Sequence, residues 1–269
     1  MKKTLVVLGV LLGFAYLVSC TKVPITNRRQ VNLIAETELI GMSTQAYDEF
    51  LAQHYVLPDS DNRTQMVKRI GARIRAAAEK FLTDNHQTKR MDGFTWQFNV
   101  VEDPTVNAWC MPGGKVVVYT GIIPVAQDET SLAVVMGHEI AHAVARHGNE
   151  RMSQGLLLEA GGATLGAVLG NQPGLARDLF LQSYGLGGTL GMLAYSRNHE
   201  SEADKLGLVF MAMAGYDPQA AIGFWTRMSQ QGGQAPPEIL STHPSDETRV
   251  TTLKEFMPEA LKYYKPATN

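Results

Sequence analysis

Val135-Met136-Gly137-His138-Glu139-Ile140-Ala141-His142 is the stretch on which the reading of the whole chain turns. Around it, Leu132, Val135, Met136, Ala143 and Val144 recur at helical spacing, which predicts a helix held in a core. Because a helix turns about 100° per residue, His138 and His142 present two imidazoles to one point. Glu139 stands beside His138 and about 60° round from His142, the place for a carboxylate that reaches a metal-bound water without displacing it. Unpartnered polar groups cost about 1–3 kcal/mol each when buried, so three of them on a core helix need something that satisfies them. A metal ion does so, and imidazole and carboxylate ligands make zinc the expected ion, one per chain.

A catalytic zinc takes three protein ligands and leaves a position for water. His147 lies about 180° from His138 and 140° from His142, so it cannot join them while the helix continues. Glu200 and Asp204 share one face of a second predicted helix, whereas Glu202 is turned about 200° from Glu200 and faces elsewhere. The pair fits a ligand together with a carboxylate that accepts the second N–H of His138 or His142; the competing reading is a solvated acidic face.

Over 269 residues, 45% hydrophobic and 19% charged content is ordinary globular composition with enough apolar mass for a substantial core. A net charge of −2 gives no electrostatic case for nucleic acid, so no such partner is expected. Met1-Lys2-Lys3 and the apolar run from Leu5 to Val18 have the form of a secretory signal peptide. Leu17-Val18-Ser19-Cys20 resembles the lipobox of bacterial lipoproteins, in which the leader is removed and the cysteine is lipidated; the alternative is a plain Cys in an anchor helix. Thr21, where an Asp would retain the protein in the inner membrane under the enterobacterial sorting rule, favours the outer membrane. With Cys20 lipidated, Cys110 has no disulfide partner, and its apolar setting is that of a buried small hydrophobe.

In chain order, Thr21 to Gln30 reads as an extended tether, and helices are expected over 35–52 and 62–82, the second with a stripe through Val67, Ile70, Ile74 and Phe81. A turn at Asp92-Gly93 precedes a strand from Phe94 to Val101, and residues 107–121 form a hairpin around Pro112-Gly113-Gly114. Pro112 puts the first arm, Asn107-Ala108-Trp109, at a sheet edge that can receive an extended peptide. The motif helix is expected to start near Asp128 to Ser131 and stop at Gly148. The Gly, Ala and Leu-rich stretch 155–195 is interrupted by Glu159, Pro173, Arg177 and Asp178, which argues for packed helices and against a membrane span. Ser196 caps the Glu200 helix, which Gly215 ends; Asp217-Pro218 starts another, and Ser245 or Asp246 caps the last.

The combination of His138-Glu139-x-x-His142, Glu200-x-x-x-Asp204, Asn107-Ala108, Pro112-Gly113-Gly114 and Ser241-Thr242-His243-Pro244 with Arg249 resembles the HtpX/BepA/LoiP-type zinc metallopeptidases, relatives of the prenyl-protein and mitochondrial stress proteases. The resemblance runs from about Gln30 to Met257. It implies an α+β, mainly helical gluzincin fold with a small antiparallel sheet, with Glu200 as third ligand and Asp204 behind the ligands. It further implies that His243 can occupy the open metal position and hold the enzyme latent, the alternative being a loop histidine that caps backbone. Arg249 pairs with a carboxylate near the site or lies on the last helix. Multi-span members carry transmembrane helices, and BepA carries tetratricopeptide repeats, that this sequence does not display, so the short periplasmic lipoprotein type is the expected form. The domain reading is a signal peptide at 1–19, a lipid-anchored tether at 20–34 and a metallopeptidase domain at 35–269. The expected activity is hydrolysis of peptide bonds in unfolded or misassembled envelope proteins, with Glu139 as general base. The alternative is a zinc-binding lipoprotein holdase without cleavage.

Overall fold

The computed structural model describes residues 20–160, 173–184, 196–230, 239, 243 and 248–266. The expected signal peptide, parts of the 155–195 stretch, and Ser241, Thr242, Pro244, Ser245 and Asp246 lie outside the described residues.

Two short strands, β1 (Cys20–Lys22) and β2 (Arg29–Val31), open the described chain and pair antiparallel. Helices α1 (Glu36–Gln53) and α2 (Asn62–Asp84) follow. A three-stranded sheet then forms from β3 (Gln97–Val101), β4 (Ala108–Met111) and β5 (Lys115–Tyr119) in the order β3-β5-β4. The sheet is small, as expected, and mixed: β5 runs parallel to β3 and antiparallel to β4. Short α3 (Ile122–Ala126) leads into the motif helix α4 (Glu129–Ala145), followed by α5 (His147–Ala160), α6 (Pro173–Ser183), α7 (Arg197–Met213), α8 (Ala220–Gln230) and α9 (Arg249–Ala260). No described helix is long and apolar enough to cross a membrane.

Alternation along the strands divides the interior in two. Val116 and Val118 face a core shared with α2 and α4, whereas Val117 and Tyr119 face a smaller one with Tyr47, Leu156 and Phe180. Both faces of β5 are therefore covered, which is why it reads as an unbroken apolar run. On α2 the predicted stripe Val67, Ile70, Ile74 and Phe81 is buried, and Gly71 admits the Phe98 ring, to which an added Cβ would come within 2.4 Å. Gly113 and Gly114, at φ 81° and 78°, make the hairpin turn that a side chain would strain.

Helix α4 is buried all round. Every residue from Ser131 to Ala145 is inside, packed by α2, α7, α8 and β4, where the sequence predicts only a one-sided stripe. At about 1.5–3 kcal/mol for each fully buried Val, Leu or Met, this packing fixes the helix to the scaffold. Asp128 caps its start by accepting the Ser131 N–H at 2.7 Å. Its stop is not Gly148 but Arg146, which adopts a left-handed conformation at φ 63°. Gly148 lies inside α5 for a different reason: a Cβ there would meet the Tyr184 ring at 2.1 Å.

The segment read as an extended tether is docked. Arg90 donates to Lys22 O and, at 3.0 Å, to Val144 O, and Leu33 N donates to Ser153 Oγ at 2.9 Å. The φ values of Ile25 and Asn27, 66° and 55°, turn the chain back between β1 and β2.

Candidate metal centre

The helix that carries His138 and His142 crosses α7 at two glycines. A Cβ on Gly137 would lie 3.1 Å from Gly207 O, and one on Gly207 would lie 3.0 Å from Gly137 C. This close approach brings Glu200, at the start of α7, against the two imidazoles. Ser196 caps α7 by accepting the His199 N–H at 3.2 Å, so the first-turn Glu200 projects from a fixed end.

Four buried side chains converge: His138, His142, Glu200 and His243 offer ligand atoms that lie within 4.8 Å of one another. The Nε2 atoms of His138 and His142 are 3.0 Å apart. Glu200 places Oε2 at 3.3 Å from His138 Nε2 and Oε1 at 3.3 Å from His142 Nε2. His243 Nδ1 is 3.1 Å from Glu200 Oε1 and 3.3 Å from His138 Nε2, and its other nitrogen is 3.7 Å from Glu139 Oε2. Asp204 is the partner of His138 rather than His142, with Oδ1 at 2.9 Å from Nδ1. Arg249 lies in the site, not merely on the last helix: it stacks 3.3 Å over the Trp225 ring, donates to Asp204 at 2.6 Å and comes within 3.3 Å of Glu200.

His147, which the angular argument excludes, touches the cluster from outside. With the helix broken at Arg146, the ring swings back so that its Nδ1 is 3.0 Å from His142 Nδ1. Its Nε2 lies 3.1 Å from Glu202. Glu202 does face away from Glu200, as its angle predicts, and meets His147, Thr26 and Arg28. Nothing local in the sequence marks this second group.

The donor set fits a divalent cation. Asp204 can only accept, so His138 carries a proton on Nδ1 and turns the Nε2 lone pair inward. The two Nε2 atoms, 3.0 Å apart, must share either a proton or a cation. Glu139 Oε1 is buried without a hydrogen-bond partner among the described residues. Three carboxylates, those of Glu139, Glu200 and Asp204, face the single guanidinium of Arg249, and a dication balances that excess.

The same charges act on the protons of the cluster. Burial disfavours an imidazolium, yet at His138 the charge of Glu200 and the hydrogen bonds that the ring donates to Asp204 and Glu200 outweigh it and push the pKa up to about 9. His142 goes the other way, held well below its usual range chiefly by burial. Burial raises Glu139, against the opposing pull of His243 and His138.

Asn107 is buried just before the edge strand β4, and Ala108 and Trp109 are buried within it, packed against α4. Val106 O accepts the Ile239 N–H at 3.4 Å, so Ile239 lies against the residues that lead into that edge. Cys20 opens β1, with Val31 across the pair. Cys110 is a buried free thiol, as its apolar setting predicts.

A helix that presents two histidines and a glutamate, with a second helix adding a carboxylate, within a mainly helical fold that carries a small sheet, is a zincin-type arrangement. The model of peptidase family M48 matches residues 65–257. The chain is 35% identical over 258 residues to the mitochondrial metalloendopeptidase OMA1 of Schizosaccharomyces pombe, covering 92% of this chain and 69% of that protein. To OMA1 of Saccharomyces cerevisiae it is 30% identical over 260 residues, or 93% and 72%. The beta-barrel assembly-enhancing protease of Escherichia coli K12 is 30% identical over 200 residues, 70% of this chain and 37% of that one. The chain belongs to peptidase family M48 and is a metalloendopeptidase.

Proposed function

We propose that His138, His142 and Glu200 hold one zinc ion, that Glu139 is the general base, and that the enzyme cleaves unfolded or misassembled proteins of the bacterial cell envelope. When bound, zinc acidifies water and polarises a carbonyl, which makes peptide hydrolysis feasible near neutral pH. Glu139 takes the water proton on its carboxylate and returns it to the leaving amine nitrogen. Asp204 orients His138, and Arg249 holds Asp204 in place. The β4 edge at Asn107, Ala108 and Trp109 aligns an extended substrate backbone beside the motif helix.

The observation that carries this reading is the pair of facing Nε2 atoms with a Glu200 oxygen 3.3 Å from each. His243 lies between Glu139 and Glu200, which supports a latent enzyme whose open position that histidine fills. A lipid on Cys20, after removal of residues 1–19, anchors the enzyme on the periplasmic side of the outer membrane. The lipobox-like Leu17-Val18-Ser19-Cys20 and the beta-barrel assembly-enhancing protease among the relatives support that location.

The test is casein cleavage by zinc-loaded protein, with metal content measured in parallel. Glu139→Gln is expected to keep its zinc and lose roughly 10²–10⁴-fold in activity, the typical contribution of a positioned acid–base group. His243→Ala is expected to raise activity. Cleavage by Glu139→Gln at the wild-type rate would overturn the assignment, and zinc binding with no cleavage by any variant would favour a holdase.

A further inference from the structure

Behind His142 lies a buried polar group that the mechanism above does not use. Arg28, in the turn between β1 and β2, bridges two carboxylates from different helices. Its Nη1 and Nη2 each donate to Glu150 at 2.7 Å, while Nε and Nη2 donate to Glu202 at 2.8 and 2.9 Å. Thr26 Oγ1 adds a bond to Glu202 at 2.7 Å, and Gln30 adds one to Glu150 at 3.2 Å. His199 meets Glu150 at 3.0 Å and stacks on His147, with ring centroids 4.6 Å apart. His147 itself is wholly buried.

The proton positions in this group are coupled. His142 can turn a lone pair toward Glu200 and His138 only if its own proton sits on Nδ1. That proton needs an acceptor, and the atom facing it at 3.0 Å is His147 Nδ1. His147 Nδ1 is an acceptor only when its proton sits on Nε2, and Glu202, 3.1 Å away, receives that proton's hydrogen bond. Glu202 is held in place by the fork of Arg28.

We propose that His147, Glu202 and Arg28 are positioning residues for His142, so that the N-terminal hairpin is part of the metal centre. Arg28 fixes Glu202, Glu202 sets the tautomer of His147, and His147 fixes the tautomer and tilt of His142. The proposal rests on the reading of His142 as a ligand. Partners of this kind act on affinity for the ion before they act on turnover.

The decisive measurement is the zinc dissociation constant of the metal-free full-length protein, read by competition with a chromogenic chelator, with folding checked by near-ultraviolet circular dichroism. His147→Ala is expected to weaken zinc by roughly 10–100-fold. His147→Asn, whose amide oxygen can stand where Nδ1 stood, is expected to recover most of that loss, and in its presence Glu202→Gln should change affinity no further. Arg28→Lys, which keeps the charge but gives up the fork, is the milder variant and should weaken zinc by several-fold. Should His147→Ala not fold, Arg28→Lys and Glu202→Gln decide the matter. Wild-type affinity in His147→Ala, or in both of the others, overturns the proposal. His142→Ala separates the two failures: if it binds zinc normally, the ligand assignment itself is wrong, whereas zinc lost in His142→Ala and unchanged in His147→Ala leaves the ligand and removes the relay.

Discussion

His138 and His142 sit one turn apart on the same buried helix, yet they are held by different means. His138 leans on Asp204, a carboxylate from the neighbouring helix, with Arg249 behind it on the Trp225 ring. His142 leans on a second imidazole, His147, with Glu202 and then Arg28 behind that. Each arm ends in an arginine, but the first is short, anionic at the imidazole and inside the core, while the second is longer and ends in a partly exposed hairpin. Glu200 touches both imidazoles, but His138 has in Asp204 a second carboxylate, whereas burial prevails at His142, and the two are displaced in opposite directions.

The two arms differ most at their ends. Arg249, whose side chain is 5% exposed, leaves Glu200 and Asp204 uncompensated when removed. Arg249→Ala should therefore cost about 3–5 kcal/mol in urea unfolding of the metal-free protein, the usual loss when one partner of a buried pair goes. Arg28, at 27% exposure, should cost less in the same assay because water reaches the carboxylates it leaves behind. Equal losses would mean that the two arms are equally buried in function. A smaller effect is expected at the imidazole itself: Asp204→Asn should weaken zinc by roughly 10–100-fold while the fold is kept. If it binds as wild type does, the orientation of His138 comes from packing alone.

The smallest effect concerns pH. Burial alone would raise the Glu150 carboxyl, but the hydrogen bonds from Arg28 and His199 outweigh it and hold the pKa at about 2, against an ordinary 4.5. A depressed carboxyl pKa contributes stability that is complete above the unfolded value and is lost as pH falls through the folded one. The urea midpoint of the wild type should therefore fall relative to that of Glu150→Gln between about pH 4.5 and 2. Parallel curves across that interval would show that the Arg28 bridge contributes nothing to folding.

Much of the first arm is legible in the sequence. The spacing of His138 and His142, the Glu200-x-x-x-Asp204 pair and the buried stripe of α2 are all properties of one helix read at 100° per residue. Which histidine Asp204 serves is not legible, because it depends on the register of two helices set where Gly137 and Gly207 touch. Nor is the place of Trp225 as a platform for Arg249. The second arm fails for a sharper reason. The angle that excludes His147 is correct for an unbroken helix, and the break falls on Arg146, a residue with no local preference for the left-handed conformation it adopts. The visible stop signal, Gly148, is spent on the approach of Tyr184.

What the sequence determined by itself are the facts that repeat within a turn or a strand: the two-histidine face, the glutamate beside it, the acidic pair, the hairpin and the apolar stripes, all fixed by backbone geometry over a few residues. Tertiary structure alone decided that the helix ends at Arg146, that β5 is covered on both faces, and that a segment readable as a tether delivers Arg28 to Glu202, 174 residues away in the chain. Those outcomes depend on which buried charges find one another once the chain is compact, and no local periodicity encodes that pairing.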